Sequence, residues 1–108
     1  MATTTIEPHA AYVTLINVFT VAPERQRELV DLLIEATEKV IQHVPGYISA
    51  NIHAGTDGTR VVNYAQWENA EALHAMLADP AAQKHTTAAA AIASDDPHLY
   101  TVESVHHR

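Results

Sequence analysis

The fold is decided by YISANIHAGTDGTRVVNYAQW, residues 47–67. Tyr47–Gly55 and Arg60–Trp67 contain many β-branched and aromatic side chains, which is typical of strands. Between them we interpret Thr56-Asp57-Gly58 as a three-residue turn whose glycine takes the left-handed position of a G1 bulge. The stretch therefore predicts an antiparallel β-hairpin.

Working outward from the hairpin, the pattern predicts a strand before it, a strand after it and three helices. Tyr12–Val21 is apolar on both alternating faces, which indicates a strand that is covered on both sides. An amphipathic helix of about twenty residues follows, from Ala22-Pro23-Glu24 to just before Pro45-Gly46. The remaining expected elements are a helix capped by Asn69 that runs through Ala78, an alanine-rich helix over Ala81–Ala93, a turn at Asp95-Asp96-Pro97 and a last strand over Leu99–Val105.

This order of elements is that of the ferredoxin-like split βαβ unit, an α+β fold with an antiparallel sheet and helices on one face. A chain of 108 residues has room for one domain. We place it at residues 12–108, after a flexible N-terminal tail of residues 1–11. The helix-free face still carries apolar side chains, so we expect a second copy to cover it in a homodimer, as in a dimeric α+β barrel.

Charge and composition exclude several classes of function. The formal net charge is −7 and the six Lys and Arg are scattered, so nucleic acid and anionic membranes are poor partners. No apolar run approaches the roughly 20 residues of a membrane helix, and residues 1–11 lack a signal-peptide pattern, so we expect a cytoplasmic protein. Cysteine is absent, which excludes thiolate catalysis. The eight histidines show no spacing typical of metal sites, so no metal is expected.

The second hairpin strand carries side chains that can form a site. On a strand, Asn63 and Trp67 point to the same face, so an amide and the only tryptophan can share a pocket. With the three-residue turn, His53 sits opposite Val61 and falls on that face too, whereas a two-residue turn would place it on the other. Asn17, on the first strand, is an amide within an apolar row.

Each of these side chains also has a structural interpretation. A strand Trp is usually core or interface, a buried Asn is usually a satisfied hydrogen-bonding group, and a hairpin His usually lies at the surface. Their convergence favours a pocket that donates hydrogen bonds without carrying charge. We expect Phe19, Leu73 and Met76 to line it and to bind substrate.

Four segments carry a family resemblance: LINVFTV at residues 15–21, VPGY at 44–47, HAGTDGT at 53–59 and VNYAQW at 62–67. Together they resemble the small cofactor-independent, quinone-forming monooxygenases of aromatic polyketide biosynthesis, members of the antibiotic-biosynthesis monooxygenase family. The resemblance implies that a polycyclic phenol or anthrone is oxidised to a quinone by O2, with no cofactor. The catalytic or substrate-orienting residues of those relatives fall here on Asn17, Asn63, Trp67 and His53.

The implied chemistry is compatible with these side chains. An anthrone becomes electron-rich when it loses a proton, so the substrate itself can reduce O2. The protein then needs an apolar cavity and neutral donors at the developing enolate, for which Asn63 and the indole N–H of Trp67 are suited. Asn17 could hold the opposite carbonyl. His53 could accept the first proton, because an imidazole ordinarily titrates near neutral pH.

Two further hypotheses stay open. The second hypothesis is a haem-binding or haem-degrading enzyme. It rests on His85, which stands six residues after Asp79, where haem-degrading relatives carry their proximal His. Met76 falls where those enzymes have a Trp. The quinone-forming relatives differ as well, because some carry a Tyr at the position of Leu73 and an Arg near His85. The third hypothesis is a non-catalytic domain that binds small molecules in the same pocket.

Overall fold

The computed structural model describes residues 2–108, which form one sheet with helices on one side. No helix among these residues is long and apolar enough to cross a bilayer. The strands pair antiparallel in the order β2-β3-β1-β4. This is the topology of the ferredoxin-like α+β fold, so the predicted fold class is confirmed. The elements are β1 Val13–Val21, α1 Gln26–Lys39, β2 Tyr47–Ala54, β3 Arg60–Trp67, α2 Ala70–Ala78, α3 Pro80–Ala90 and β4 Ala93–Tyr100.

The first helix is shorter than the sequence predicts, while β3 and α2 have their predicted bounds. Short 3₁₀ turns at Pro23–Arg25 and Ile41–His43 flank α1 and take up the rest of the expected helix. Helical geometry is lost at Val40, with φ −129° and ψ −62°. Val40 and Ile41 are consecutive β-branched residues, which lose side-chain freedom in a helix and so favour its end.

The secondary structure predicted for the C-terminal part of the chain was wrong. Asp95-Asp96-Pro97 is part of β4 and not a turn, and residues 101–108 contain no strand. The proline is tolerated because β4 is an edge strand, which pairs with β1 alone. The side-chain oxygen of Asn17 accepts a hydrogen bond of 3.1 Å from the backbone N–H of Asp96, which supports the ladder beside the proline.

The two faces of the sheet differ in what covers them. On the helix face, the side chains pack under α1, α2 and α3 in two adjoining core clusters. The other face, which we call the open face, is covered by none of the helices within residues 2–108. The helix face carries Leu15, Asn17 and Phe19 of β1 with Val61, Asn63, Ala65 and Trp67 of β3; the open face carries Thr14, Ile16 and Val18 of β1 with Val62, Tyr64 and Gln66 of β3.

The N-terminal segment lies across the open face. Gln66 Nε2 donates a hydrogen bond of 2.9 Å to the carbonyl of Thr5, and the hydroxyl of Thr4 bonds to the side-chain oxygen of Asn51. The backbone N–H of His9 donates to the carbonyl of Val102 at 2.9 Å. The segment is irregular, as expected, but these bonds tie it to the sheet. That it is mobile stays a prediction.

Candidate active site

A cavity of about 280 Å³ lies between the helix face and the helices. Its lining is predominantly apolar, and all three side chains expected to bind substrate, Phe19, Leu73 and Met76, are part of it. Their role as substrate contacts stays a prediction. The lining residues with polar or titratable side chains are Asn17, Asn63, His74, His85, Thr86, Asp95 and His98, of which His98 points its ring to the open face.

The amide of Asn17 is held in one orientation. Its oxygen accepts from the backbone N–H of Asp96, and its Nδ2 donates to the carboxylate of Asp95 at 3.2 Å. Because a backbone N–H can only donate and a carboxylate can only accept, the oxygen and nitrogen of this amide cannot be exchanged. One N–H of Nδ2 is left over, and it is available to a molecule in the cavity.

Asn63 stands directly opposite Asn17 in the β1–β3 register. Side chains in such a pair begin about 5 Å apart, so the two amides form one polar patch within the apolar lining. The side-chain oxygen of Asn63 is buried and has no hydrogen-bond partner among residues 2–108. An acceptor left in this state costs about 1–3 kcal/mol, unless a ligand or water satisfies it. The patch is therefore suited to binding a hydroxyl or N–H group.

Trp67 shares this face but does not line the cavity, so the expectation that it shares a pocket with Asn63 is corrected. It is 1% exposed and packs in the core cluster with Leu73 and Met76, which form the cavity wall. Its Nε1 is buried and has no partner within the described part of the chain. A role for this N–H in the reaction stays a prediction.

The end of β2 holds Trp67 in this position. A register shift after Tyr47 brings its ring edge-on to the indole, with centroids 5.8 Å apart at 85°. Burial raises the pKa of Tyr47. Gly46 has a φ of +93°, and a side chain there would overlap Ala72, so glycine allows α2 to close over the tryptophan.

His53 lies on the open face, away from the cavity, and the predicted placement was wrong. It pairs with Val62, not with Val61. The hairpin closes at Gly55 and Arg60, so its loop has four residues where three were expected. One residue more in the loop turns every side chain of β2 to the other face. His53 is exposed, and its Nδ1 lies 3.0 Å from the carbonyl of Asn51.

Asp95 and His85 are two of the titratable lining residues that the sequence analysis missed as parts of this site. Asp95 was assigned to a turn because of Pro97, although residues 93, 95, 97 and 99 alternate onto the helix face as on any strand. His85 was considered only as a haem ligand. It lies in the middle of α3, where its spacing from the buried Ala82 and Ala89 places it near the core side of the helix.

Comparisons with known proteins agree with this fold. The family described as antibiotic biosynthesis monooxygenase matches residues 12–88. Tetracenomycin-F1 monooxygenase of Streptomyces glaucescens is 53% identical over 81 residues, which cover 75% of this chain and 72% of that protein.

Two solved structures show the same fold with appreciable sequence identity. SnoaB, a cofactor-independent oxygenase from Streptomyces nogalater, has a TM-score of 0.79 at 27% identity and covers 89% of this chain and 97% of its own. The ActVA-Orf6 monooxygenase of Streptomyces coelicolor, in complex with nanaomycin D, has a TM-score of 0.79 at 33% identity. The match covers 91% of this chain and 92% of that structure's chain.

Proposed function

The chain belongs to the antibiotic biosynthesis monooxygenase family and is a monooxygenase, and we propose that it oxidises a polycyclic phenol of the anthrone type to a quinone with O2 and without a cofactor. The relatives named above favour this function over haem degradation and over mere binding. The observation that carries the proposal is the pair of facing amides, Asn17 and Asn63, in an otherwise apolar cavity.

The amide pair fits the charge that develops on such a substrate. When an anthrone loses a proton, negative charge moves onto its carbonyl oxygen, and neutral N–H donors stabilise that charge without first being neutralised by it. The free N–H of Asn17 is one such donor. The unpaired oxygen of Asn63 can accept from a phenolic hydroxyl beside that carbonyl, so together the two side chains orient the ring.

The apolar wall contributes by keeping water out. The anion of the substrate transfers an electron to O2, and the resulting radical pair combines to a peroxide that loses water to give the quinone. Phe19, Leu73 and Met76 surround this step with hydrocarbon, which strengthens the hydrogen bonds of the amides.

We also propose that a second copy of the chain covers the open face. Ile16, Val18, Val62 and Tyr64 lie on the two central strands, are only half-buried in the single chain, and form an apolar patch that none of the described helices covers. A symmetric pair of such faces would bury both patches at once.

The function is tested with dithranol, a synthetic anthrone, and protein that has been dialysed against EDTA. We expect quinone formation well above the uncatalysed rate, with one O2 consumed for each quinone. With ¹⁸O2, one labelled oxygen should enter the quinone and the other should appear in water. A rate equal to that without protein, also with emodinanthrone as substrate, would reject the proposed function.

A further inference from the structure

The cavity wall holds an imidazole whose lone pair is free to take a proton. His85 of α3 lines the cavity and is half-buried. Its Nδ1 lies 3.1 Å from the carbonyl oxygen of Ala81, one helical turn earlier. Since a carbonyl can only accept, Nδ1 must carry the ring's proton, and the lone pair of the neutral ring is then on Nε2.

The other titratable groups at the cavity are less suited to this task. The carboxylate of Asp95 already accepts a hydrogen bond from Asn17. His98 stands opposite Ile16 in the strand register, so its ring points to the open face, where its Nε2 lies 2.8 Å from a carboxylate oxygen of Asp96. His74 is exposed at the rim. Among the side chains that line the cavity, His85 therefore combines partial burial with an unengaged basic nitrogen.

We propose that His85 is the general base of the reaction, an assignment that rests on the proposed function. Nε2 takes a proton from the methylene carbon of the anthrone, and the electrons of that C–H bond stay on the substrate as the enolate. One electron passes to O2, and the substrate radical and superoxide combine with formation of a C–O bond. The imidazolium returns its proton to the peroxide. Loss of water then removes the second methylene hydrogen, so that CH₂ and O2 become C=O and H2O.

When His85 takes up a proton, its ring becomes positively charged, and a negatively charged side chain lies near it. Glu35 of α1 is near enough that the pKa of its carboxyl is lowered, chiefly by the hydrogen bond and charge of Lys39 and to a smaller extent by His85. On the other elements packed against α3, the titratable residues of the cavity lining are His74 of α2 and Asp95 and His98 of β4, and the His98 ring points to the open face. With the carboxylate of Glu35 nearby, a transient imidazolium is not an isolated charge.

The test compares three variants on dithranol after subtraction of the uncatalysed rate. His85→Ala removes the base and leaves space for a small molecule, and His85→Gln removes the base but fills the space. His43→Gln is the matched control, because this exposed ring also bonds a backbone carbonyl, that of Glu38 at 3.0 Å, but lies outside the cavity lining. Added imidazole and weaker azole bases then probe chemical rescue.

We expect kcat of His85→Ala to fall about 100-fold or more, as for loss of a general base, while His43→Gln resembles the wild type. Imidazole should restore kcat of His85→Ala in proportion to the basicity of the azole and should have no such effect on His85→Gln. Unchanged kcat in His85→Ala would overturn the assignment, and so would a loss that no azole restores. If the wild type itself does not oxidise dithranol or emodinanthrone, the proposed function fails and not this assignment alone.

Discussion

Amide side chains lie on both faces of the sheet, but their hydrogen bonding differs. On the open face, Gln66 is 2% exposed and both polar atoms of its amide have a partner, since its Oε1 accepts from Ser49 Oγ at 2.7 Å and its Nε2 donates to the carbonyl of Thr5 at 2.9 Å. On the helix face, the buried oxygen of Asn63 has no partner among residues 2–108, and Asn17, which makes the same number of hydrogen bonds as Gln66, lines the cavity. The comparison teaches that residue type does not mark the site. What marks it is unused hydrogen-bonding capacity in the lining of a cavity, because the hydroxyl of Thr14 on the open face is also buried without a partner among residues 2–108.

The largest expected effect comes from removing this unused capacity. In Asn63→Ala we expect kcat for dithranol to fall about 100- to 1,000-fold, as when one preorganised hydrogen-bonding group is removed. The free energy of unfolding should hardly change, because the buried oxygen has no partner to lose. Steady-state kinetics and urea denaturation measure the two quantities on the same preparation.

Gln66→Ala is the matched control and should give the opposite result. It removes two hydrogen bonds and leaves their partners unpaired, so the free energy of unfolding should fall by about 1–3 kcal/mol. Its kcat should remain close to the wild-type value. If instead Asn63→Ala destabilises the protein and retains its activity, the two faces do not differ as we describe, and Asn63 is structural.

The sequence was informative where the alternation of side chains along one strand determines the structure. The bounds of β3 and the shared face of Asn63 and Trp67 followed from period-two patterning. The sequence could not give the length of the hairpin loop, on which the face of every β2 side chain depends. The residues of Thr56–Thr59 are typical of turns and suit a three-residue loop and a four-residue loop alike.

Tertiary context explains the other differences. Pro97 and its acidic neighbours are typical of a turn, and only the position of β4 at the edge of the sheet makes them acceptable in a strand. Trp67 lies behind the cavity wall because α2 packs over it. The pattern of residues along one strand carries no information about that packing.

The second prediction concerns the open face as an interface. Ile16→Arg places a charge at the centre of the apolar patch, between Tyr64 and His98 in the strand register, where a partner copy would have to bury it. Sedimentation velocity should show a dimer for the wild type and a monomer for this variant. Ile34→Arg is the control, since Ile34 is 38% exposed on α1 and should leave the dimer intact. A monomeric wild type would refute the homodimer.

The smallest expected effect belongs to His53, and it tests whether the hairpin register separates the two faces as described. The family resemblance gives this residue a catalytic role, whereas the four-residue loop turns it to the open face, where it is exposed and its Nδ1 lies 3.0 Å from the carbonyl of Asn51. We therefore expect His53→Ala to keep the kcat and KM of the wild type for dithranol, because no atom of this side chain lines the cavity of its own chain. A large fall in kcat with an unchanged free energy of unfolding would contradict this. It would mean either that the hairpin closes with a three-residue loop in solution or that a partner copy brings the ring to the site.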